Sequence, residues 1–158
     1  MGLELRAATA DDAAAIADTW HRGWADGHEG HVPQGLYAHR QVDHFAALVA
    51  SRIATTTVGV LDGSVIGFVT VRADEIEEMY VDGSARGTGA AAALLTYGEG
   101  IIAEQHDTAW LAVVAGNARA RRFYERCGWV DRGAYDYTAE TADGPFVVPV
   151  RRYEKRVR

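Results

Sequence analysis

Cysteine is almost missing from this chain. Cys127 is the only one in 158 residues, so no intramolecular disulfide and no cysteine-based zinc site can form. Lysine is equally scarce: Lys155 stands alone beside the arginines, and with so much alanine this reads as coding bias and not as a phosphate-binding device. No stretch approaches the run of about 18 apolar residues that a membrane helix needs. The start Met1-Gly2-Leu3-Glu4 lacks signal-peptide character, so the expected address is the cytoplasm. An excess of positive charge is absent too. Sixteen Lys+Arg face 22 Asp+Glu, a net charge of −6, which argues against general binding to nucleic acid or to an anionic membrane.

What the chain does have is material for a core. Hydrophobic residues make up 48% and charged residues 24%, the balance of a single soluble domain. Leu3, Leu5 and Ala7 alternate with polar residues, predicting a short strand that ends at Thr9. Thr9 and Asp12 form a capping-box pattern before a helix reaching about Gly27, with Ala13, Ile16, Ala17, Trp20 and Trp24 on one face. A Gly- and His-bearing loop follows, then a helix over 35–53 that turns Phe45, Leu48, Val49 and Ile53 inward. From residue 55 the period changes to that of strands: 57–61 and 65–71, joined by the hairpin signal Asp62-Gly63, then 76–81. A helix over 89–105, a buried strand over 110–114 and a helix over 118–127 closed by Gly128 come next. The remainder reads as a hairpin around Ala142-Asp143-Gly144. The order β-α-α-β-β-β-α-β-α-β-β implies a mixed sheet with antiparallel hairpins and one or two parallel crossovers.

Chemistry concentrates between Glu75 and Ala91. A strand enters the loop Asp82-Gly83-Ser84-Ala85-Arg86-Gly87-Thr88-Gly89, and the loop opens a helix at Ala90-Ala91. Free N–H groups and the positive end of a helix dipole favour an anion there, and Gly87 and Gly89 keep side chains out of its way. A phosphate ligand is the physical expectation, although Gly-Thr-Gly alone equally suits an ordinary strand-to-helix turn. Neither GxxxxGK[ST] nor GxGxxG is present.

One strand later comes Asn117-Ala118-Arg119-Ala120-Arg121-Arg122-Phe123-Tyr124-Glu125-Arg126-Cys127-Gly128-Trp129. Together the two stretches resemble the GCN5-related N-acetyltransferase (GNAT) family. Its phosphate loop Arg/Gln-x-x-Gly-x-Gly/Ala is matched by Arg86, Gly89 and Ala91. Its later signature is matched by Asn117, Ala120, Phe123, Tyr124, Glu125 and Gly128, with Trp129 in place of Phe. Gly83-Ser84 stands where many members carry a Pro-containing turn.

The resemblance implies an α/β fold with a mixed central sheet of about seven strands flanked by about four helices, forming one domain that uses acetyl-CoA and no metal. It implies a reaction too: the amine of a small-molecule or peptide acceptor attacks the thioester directly in a ternary complex. The pantetheine arm would pair with the strand at Met79 and Val81, and Arg86, Gly87, Thr88, Gly89, Ala90 and Ala91 would take the pyrophosphate, with Asn117 and Tyr124 beside the cofactor. Arg119, Arg121 and Arg122 are candidates for the remaining phosphate, or form a solvated helix face. Tyr124 carries over as the acid that protonates the departing thiolate, against a plain core role beside Phe123. A base is sought among the acids of the strand. Simple alternation places Glu75, Glu77 and Met79 on one face, and the resemblance implies a base from that face, so Glu77 is the first candidate and Glu75 the second, unless both merely charge an exposed edge.

Other readings stay open at this level. Five histidines between His21 and His44, with Trp20, Trp24 and Tyr37, occupy the region that the resemblance implies is an acceptor lip, which they suit more than a metal site, although the tryptophans also suit the core. Arg151, Arg152, Lys155, Arg156 and Arg158 read as a solvated tail, while the resemblance implies a possible homodimer, for which the C-terminal hairpin is the candidate surface. A non-catalytic acyl-CoA-binding module on the same fold, or a nucleotide-binding protein sharing only the Gly loop, are the competing functions.

Overall fold

A computed structural model describes residues 2–28, 30–141 and 143–158. The strands are β1 (Glu4–Ala7), β2 (Thr56–Leu61), β3 (Ser64–Arg72), β4 (Glu75–Val81), β5 (Thr108–Val114), β6 (Val130–Thr141) and β7 (Gly144–Arg156). The helices are α1 (Ala13–His28), α2 (Val42–Ala50), α3 (Ala90–Ala103) and α4 (Ala118–Arg126), and short 3₁₀ turns precede or follow several of them. Element order is as expected from the sequence. The strands form one sheet in the order β1-β2-β3-β4-β5-β7-β6, antiparallel throughout except between β4 and β5.

Local chemistry explains each boundary that matters for the site. Asp12 opens the first helical segment: its carboxylate accepts from the Thr9 N–H at 2.8 Å and from Arg6 at 2.8 and 3.0 Å, which holds it well down, at about 2. Asp62 and Gly63 both take positive φ, 52° and 80°, as a two-residue hairpin demands. The expected helix over 35–53 is broken in two. Gln34–His39 is a 3₁₀ turn, Arg40 leaves helical geometry at φ −130°, ψ 46°, and Gln41 restarts the chain as the N-cap of α2. The hairpin of β6 and β7 is present, with Thr141 paired to Gly144; Ala142 lies outside the described residues. The basic C-terminal residues correct another expectation. Arg151, Arg152, Lys155 and Arg156 lie within β7, between β5 and β6, because Val148 and Val150 are buried on one face and Tyr153 on the other, which carries the strand into the sheet.

Two cores cover the two faces. On one, Ile16, Ala17, Trp20 and Trp24 of α1 and Phe45 and Val49 of α2 pack on Val58, Phe68 and Val114. On the other, Leu94, Leu95 and Ile102 of α3 and Tyr124 of α4 pack on Val69, Val71, Leu111 and Tyr153. Trp20 and Trp24 are 5% and 6% exposed, so these two belong to the core and not to a lip.

Candidate active site

The site begins where the sheet comes apart. Glu75 opposite Trp110 is the only registered pair between β4 and β5, with the Trp110 N–H donating to the Asp74 carbonyl at 3.0 Å. Beyond that point the two parallel strands diverge and leave a fork. β4 offers backbone to it. The Asp82 N–H bonds the Ile66 carbonyl at 2.7 Å, and the register runs Gly67–Val81, Phe68–Tyr80, Val69–Met79. Antiparallel alternation then turns the peptide groups of Tyr80 and Glu78 toward β3 and those of Met79 and Val81 into the fork.

At the open end of the fork sits the glycine loop. Gly87 and Gly89 take φ of 81° and 83°, and a Cβ at either would meet nothing within 4 Å. Glycine is therefore required by backbone conformation, and the space above the loop is clear. Thr88 closes the loop by donating from its hydroxyl to the Ala85 carbonyl at 2.5 Å. Among the described residues, the N–H groups of Gly87, Gly89, Ala91 and Ala92 have no protein acceptor. Ala90 is buried against the sheet side, which holds the first turn of α3 close to β4. A cavity of about 350 Å³ adjoins this loop, lined by Arg86, Asn117, Arg119, Asp26, His31 and Gly116 among others. Asn117 also caps α4, accepting from the Ala120 N–H at 3.2 Å. Of the three candidate arginines Arg119, Arg121 and Arg122, Arg119 lines this cavity. Arg121 is committed elsewhere, to the Tyr153 hydroxyl, the Ala115 carbonyl and Asp131.

Tyr124 approaches from the α4 side. It is 9% exposed, with Phe123, Trp129 and Tyr153 around it, and burial pushes its phenol above the ordinary value. Trp129, standing where the family motif has Phe, uses its extra N–H to reach Glu99 at 3.1 Å. Glu99 in turn holds Lys155 at 2.8 Å. Cys127 is half-buried at the end of α4, with its thiol raised by burial and by Glu99.

The acids of β4 do not follow simple alternation. Val71 pairs with Ile76 while Thr70 pairs with Glu78, so Glu77 is an extra residue, a bulge. Ile76 and Met79 consequently share the α3 face, and Glu78 and Tyr80 share the α1 face, where Tyr80 stacks on Trp20 at 6.4 Å. The expected grouping of Glu75 and Glu77 with Met79 is thus overturned, and Glu78 enters the site unpredicted. Glu77 has both oxygens occupied, Oε1 3.0 Å from Arg52 Nε and Oε2 3.5 Å from Arg72 Nη1. Glu75, 8% exposed at the vertex of the fork, is pushed up to about 7 by burial and by the neighbouring Glu77. Glu78 is also raised by burial, against the pull of Arg52.

The five clustered histidines disperse. His21 lies edge-on to Phe45, His28 stacks on Trp24, His31 rests against Gly116, His39 meets Asp143 at 3.0 Å and His44 receives the Gln41 N–H. Among the described residues no three His, Cys, Asp or Glu side chains gather as a metal would need. None of the helices described is long and apolar enough to cross a membrane.

A family model for the acetyltransferase (GNAT) family matches residues 16–129. The chain belongs to that family. Solved structures agree with this GNAT fold. A GCN5-related N-acetyltransferase from Rhodopseudomonas palustris superposes with a TM-score of 0.74 at 20% identity, covering 99% of this chain and 96% of that one. An N-acetyltransferase from Staphylococcus aureus Mu50 gives 0.72 at 22% identity over 100% of both chains. The PaiA N-acetyltransferase of Thermoplasma acidophilum, solved with coenzyme A, gives 0.66 at 16% identity over 99% of both. No curated protein matches the sequence.

Proposed function

We propose that this GNAT protein transfers the acetyl group of acetyl-CoA to a primary amine, with the cofactor in the fork between β4 and β5. The observation that carries this reading is the fork itself. Its strands meet only at Glu75 and Trp110, the peptide groups of Met79 and Val81 face inward, and unclaimed N–H groups wait at its open end. Pantetheine is an extended chain of amides and fits as an added strand along Met79 and Val81. The pyrophosphate fits Arg86 and the loop from Gly87 through Thr88, Gly89 and Ala90 to Ala91, with Arg119 and Asn117 lining the adjoining cavity.

The acceptor ammonium first loses a proton, and Glu75 takes it. A carboxylate near 7 is half ionised at neutral pH, as a working base should be, whereas both Glu77 oxygens are held by arginines. The amine then attacks the thioester carbon, a C–N bond forms and the C–S bond breaks. The nitrogen gives up a second proton, the sulfur gains one, and one proton leaves to solvent. Tyr124 supplies the sulfur's proton. Its raised phenol makes full transfer uphill, so its main contribution is a hydrogen bond to the thiolate as charge develops there.

Thermal unfolding with acetyl-CoA, CoA, ATP and NAD in parallel tests the cofactor. A ligand at a hundred times its Kd adds about 2.7 kcal/mol, which for a domain of this size raises Tm by about 5–10 °C. A rise with acetyl-CoA and CoA alone supports the reading. A rise with ATP or NAD alone, or none at all in folded protein, removes it.

A further inference from the structure

On the α1 side of the fork the chain gathers guanidinium and carboxylate groups that its own hydrogen bonds do not exhaust. Arg52 leaves the turn after α2, where its carbonyl is pinned by the Thr56 hydroxyl at 2.8 Å and the Thr55 N–H at 3.1 Å. Its side chain turns inward over the Trp20 ring, 5.5 Å from the centroid. Nε lies 3.0 Å from Glu77 Oε1 and 3.9 Å from Glu78 Oε2. Nη1 is buried and, among the described residues, has no partner; the same holds for Glu78 Oε2. Arg40 comes from the break between the 3₁₀ turn and α2, where burial lowers its guanidinium, with Arg52 pushing the same way and Tyr80 and Glu78 against it. Its recorded hydrogen bond is to the carbonyl of its own neighbour His39, and no described carboxylate lies within 4 Å of it. An unsatisfied guanidinium nitrogen and an unsatisfied carboxyl oxygen thus lie side by side, which is costly unless a ligand completes them.

We propose that the acceptor is a small amine carrying an anionic group next to the amine, an α-amino carboxylic acid in the simplest case, with Arg52 and Arg40 holding the anion and Glu78 the ammonium. The proposal rests on the acetyl-transfer reading above and narrows its substrate. Charge complementarity selects this class. A plain monoamine satisfies Glu78 and leaves Arg52 Nη1 unpaired. A polyamine adds a second cation beside two guanidiniums, a like-charge contact that costs binding. An aminoacyl amide offers Arg52 a neutral carbonyl only, a weaker partner than a carboxylate for a planar guanidinium. Trp20, beneath the Arg52 guanidinium, packs with Tyr80 and Tyr137 in the α1-side core.

The test measures thiol release from acetyl-CoA with each L-amino acid, its carboxamide and the amine left after removal of its carboxyl group. The best amino acid should exceed its decarboxylated amine in kcat/KM by on the order of a hundredfold, with the carboxamide between them. In Arg52→Met and Arg40→Met proteins that acid-to-amine ratio should fall toward one, and Arg52→Lys should restore part of it. Should either variant fail to fold, the ratio measured on the unaltered protein decides by itself. Carboxamides, decarboxylated amines or spermidine turning over as well as or better than the acids overturns the proposal. So does acetyl-CoA binding with no turnover of any amino acid. Failure to bind acetyl-CoA at all falls instead on the acetyltransferase reading beneath it.

Discussion

Glu75 faces Trp110 across the one registered pair that joins β4 to β5, and the sheet opens immediately beyond them. This places a buried carboxylate at the vertex of the cleft, with the strand's free peptide groups leading away from it toward the glycine loop. A carboxyl raised to about 7 at the vertex and free N–H groups at the mouth would suit an extended cofactor whose reactive end lies deepest.

If Glu75 is the base, kcat/KM should rise tenfold per pH unit on the acid side and level off above about 7. Glu75→Gln should lower kcat by on the order of a hundredfold and abolish that limb. The comparison is Glu77→Gln, which removes a partner of Arg52 and Arg72 but should retain the limb, moved to lower pH because the charge that helps raise Glu75 is gone. A pH–rate profile of the three proteins decides the assignment. A limb that persists in Glu75→Gln and vanishes in Glu77→Gln reverses it.

Tyr124→Phe keeps the ring that packs against Phe123, Trp129 and Tyr153 and removes only the hydroxyl. Turnover should drop by on the order of a hundredfold while the calorimetric Kd for CoA stays within about twofold, because a general acid acts in the transition state and not in cofactor binding. Equal turnover in the two proteins would return Tyr124 to a purely structural part.

Much of this was readable in the chain, and the misreadings share a cause. Element order, the hairpin at Asp62-Gly63 and the loop from Arg86 to Ala91 rest on local rules of backbone conformation, and local rules survive in the fold. Position of Glu77 depends on how β4 registers against β3. Alternation assumes an unbroken register, so one inserted residue transferred Met79 to the opposite face and brought Glu78 in. Arg40 and Arg52 gave no signal, being single arginines in a region read as one helix. The break at Arg40 ends that helix early, and the turn after Ser51 is what aims Arg52 at the acids of β4.

Gly89 supports a prediction that separates conformation from contact. A Cβ there touches nothing, so Gly89→Ala is penalised only through its φ of 83°, by about 1–2 kcal/mol. Relief of that strain would tilt the free Gly87, Gly89, Ala91 and Ala92 amides, and CoA affinity should weaken by on the order of tenfold. Gly89→Asn, with a side chain that tolerates left-handed backbone, should keep more of both stability and affinity. Calorimetric titration with CoA checks the order Gly, Asn, Ala.

Half-buried His28 and buried Glu75 give the pH dependence of stability opposite slopes. His28 stacks on Trp24 at 4.7 Å, and since a carbonyl only accepts, its Nδ1 carries the proton that bonds Trp24 O at 2.9 Å. Burial lowers this imidazole to about 4 from 6.5. The unfolded chain therefore binds a proton first as pH falls, and the His28 contribution, intact above 6.5, is lost progressively toward 4. Glu75, raised to about 7 from 4.5, behaves the other way: its penalty is absent below 4.5 and grows as pH rises through 7. Each contributes roughly 2–3 kcal/mol between pH 4.5 and 7, so in the unaltered protein the two nearly cancel. Glu75→Gln should expose the histidine slope, gaining stability at pH 7 and then losing those roughly 2–3 kcal/mol on acidification to 4.5. Urea unfolding at both pH values measures it. An unchanged profile in Glu75→Gln would show that Glu75 ionises as freely in the folded protein as in the unfolded one, and would remove its claim to a perturbed carboxyl.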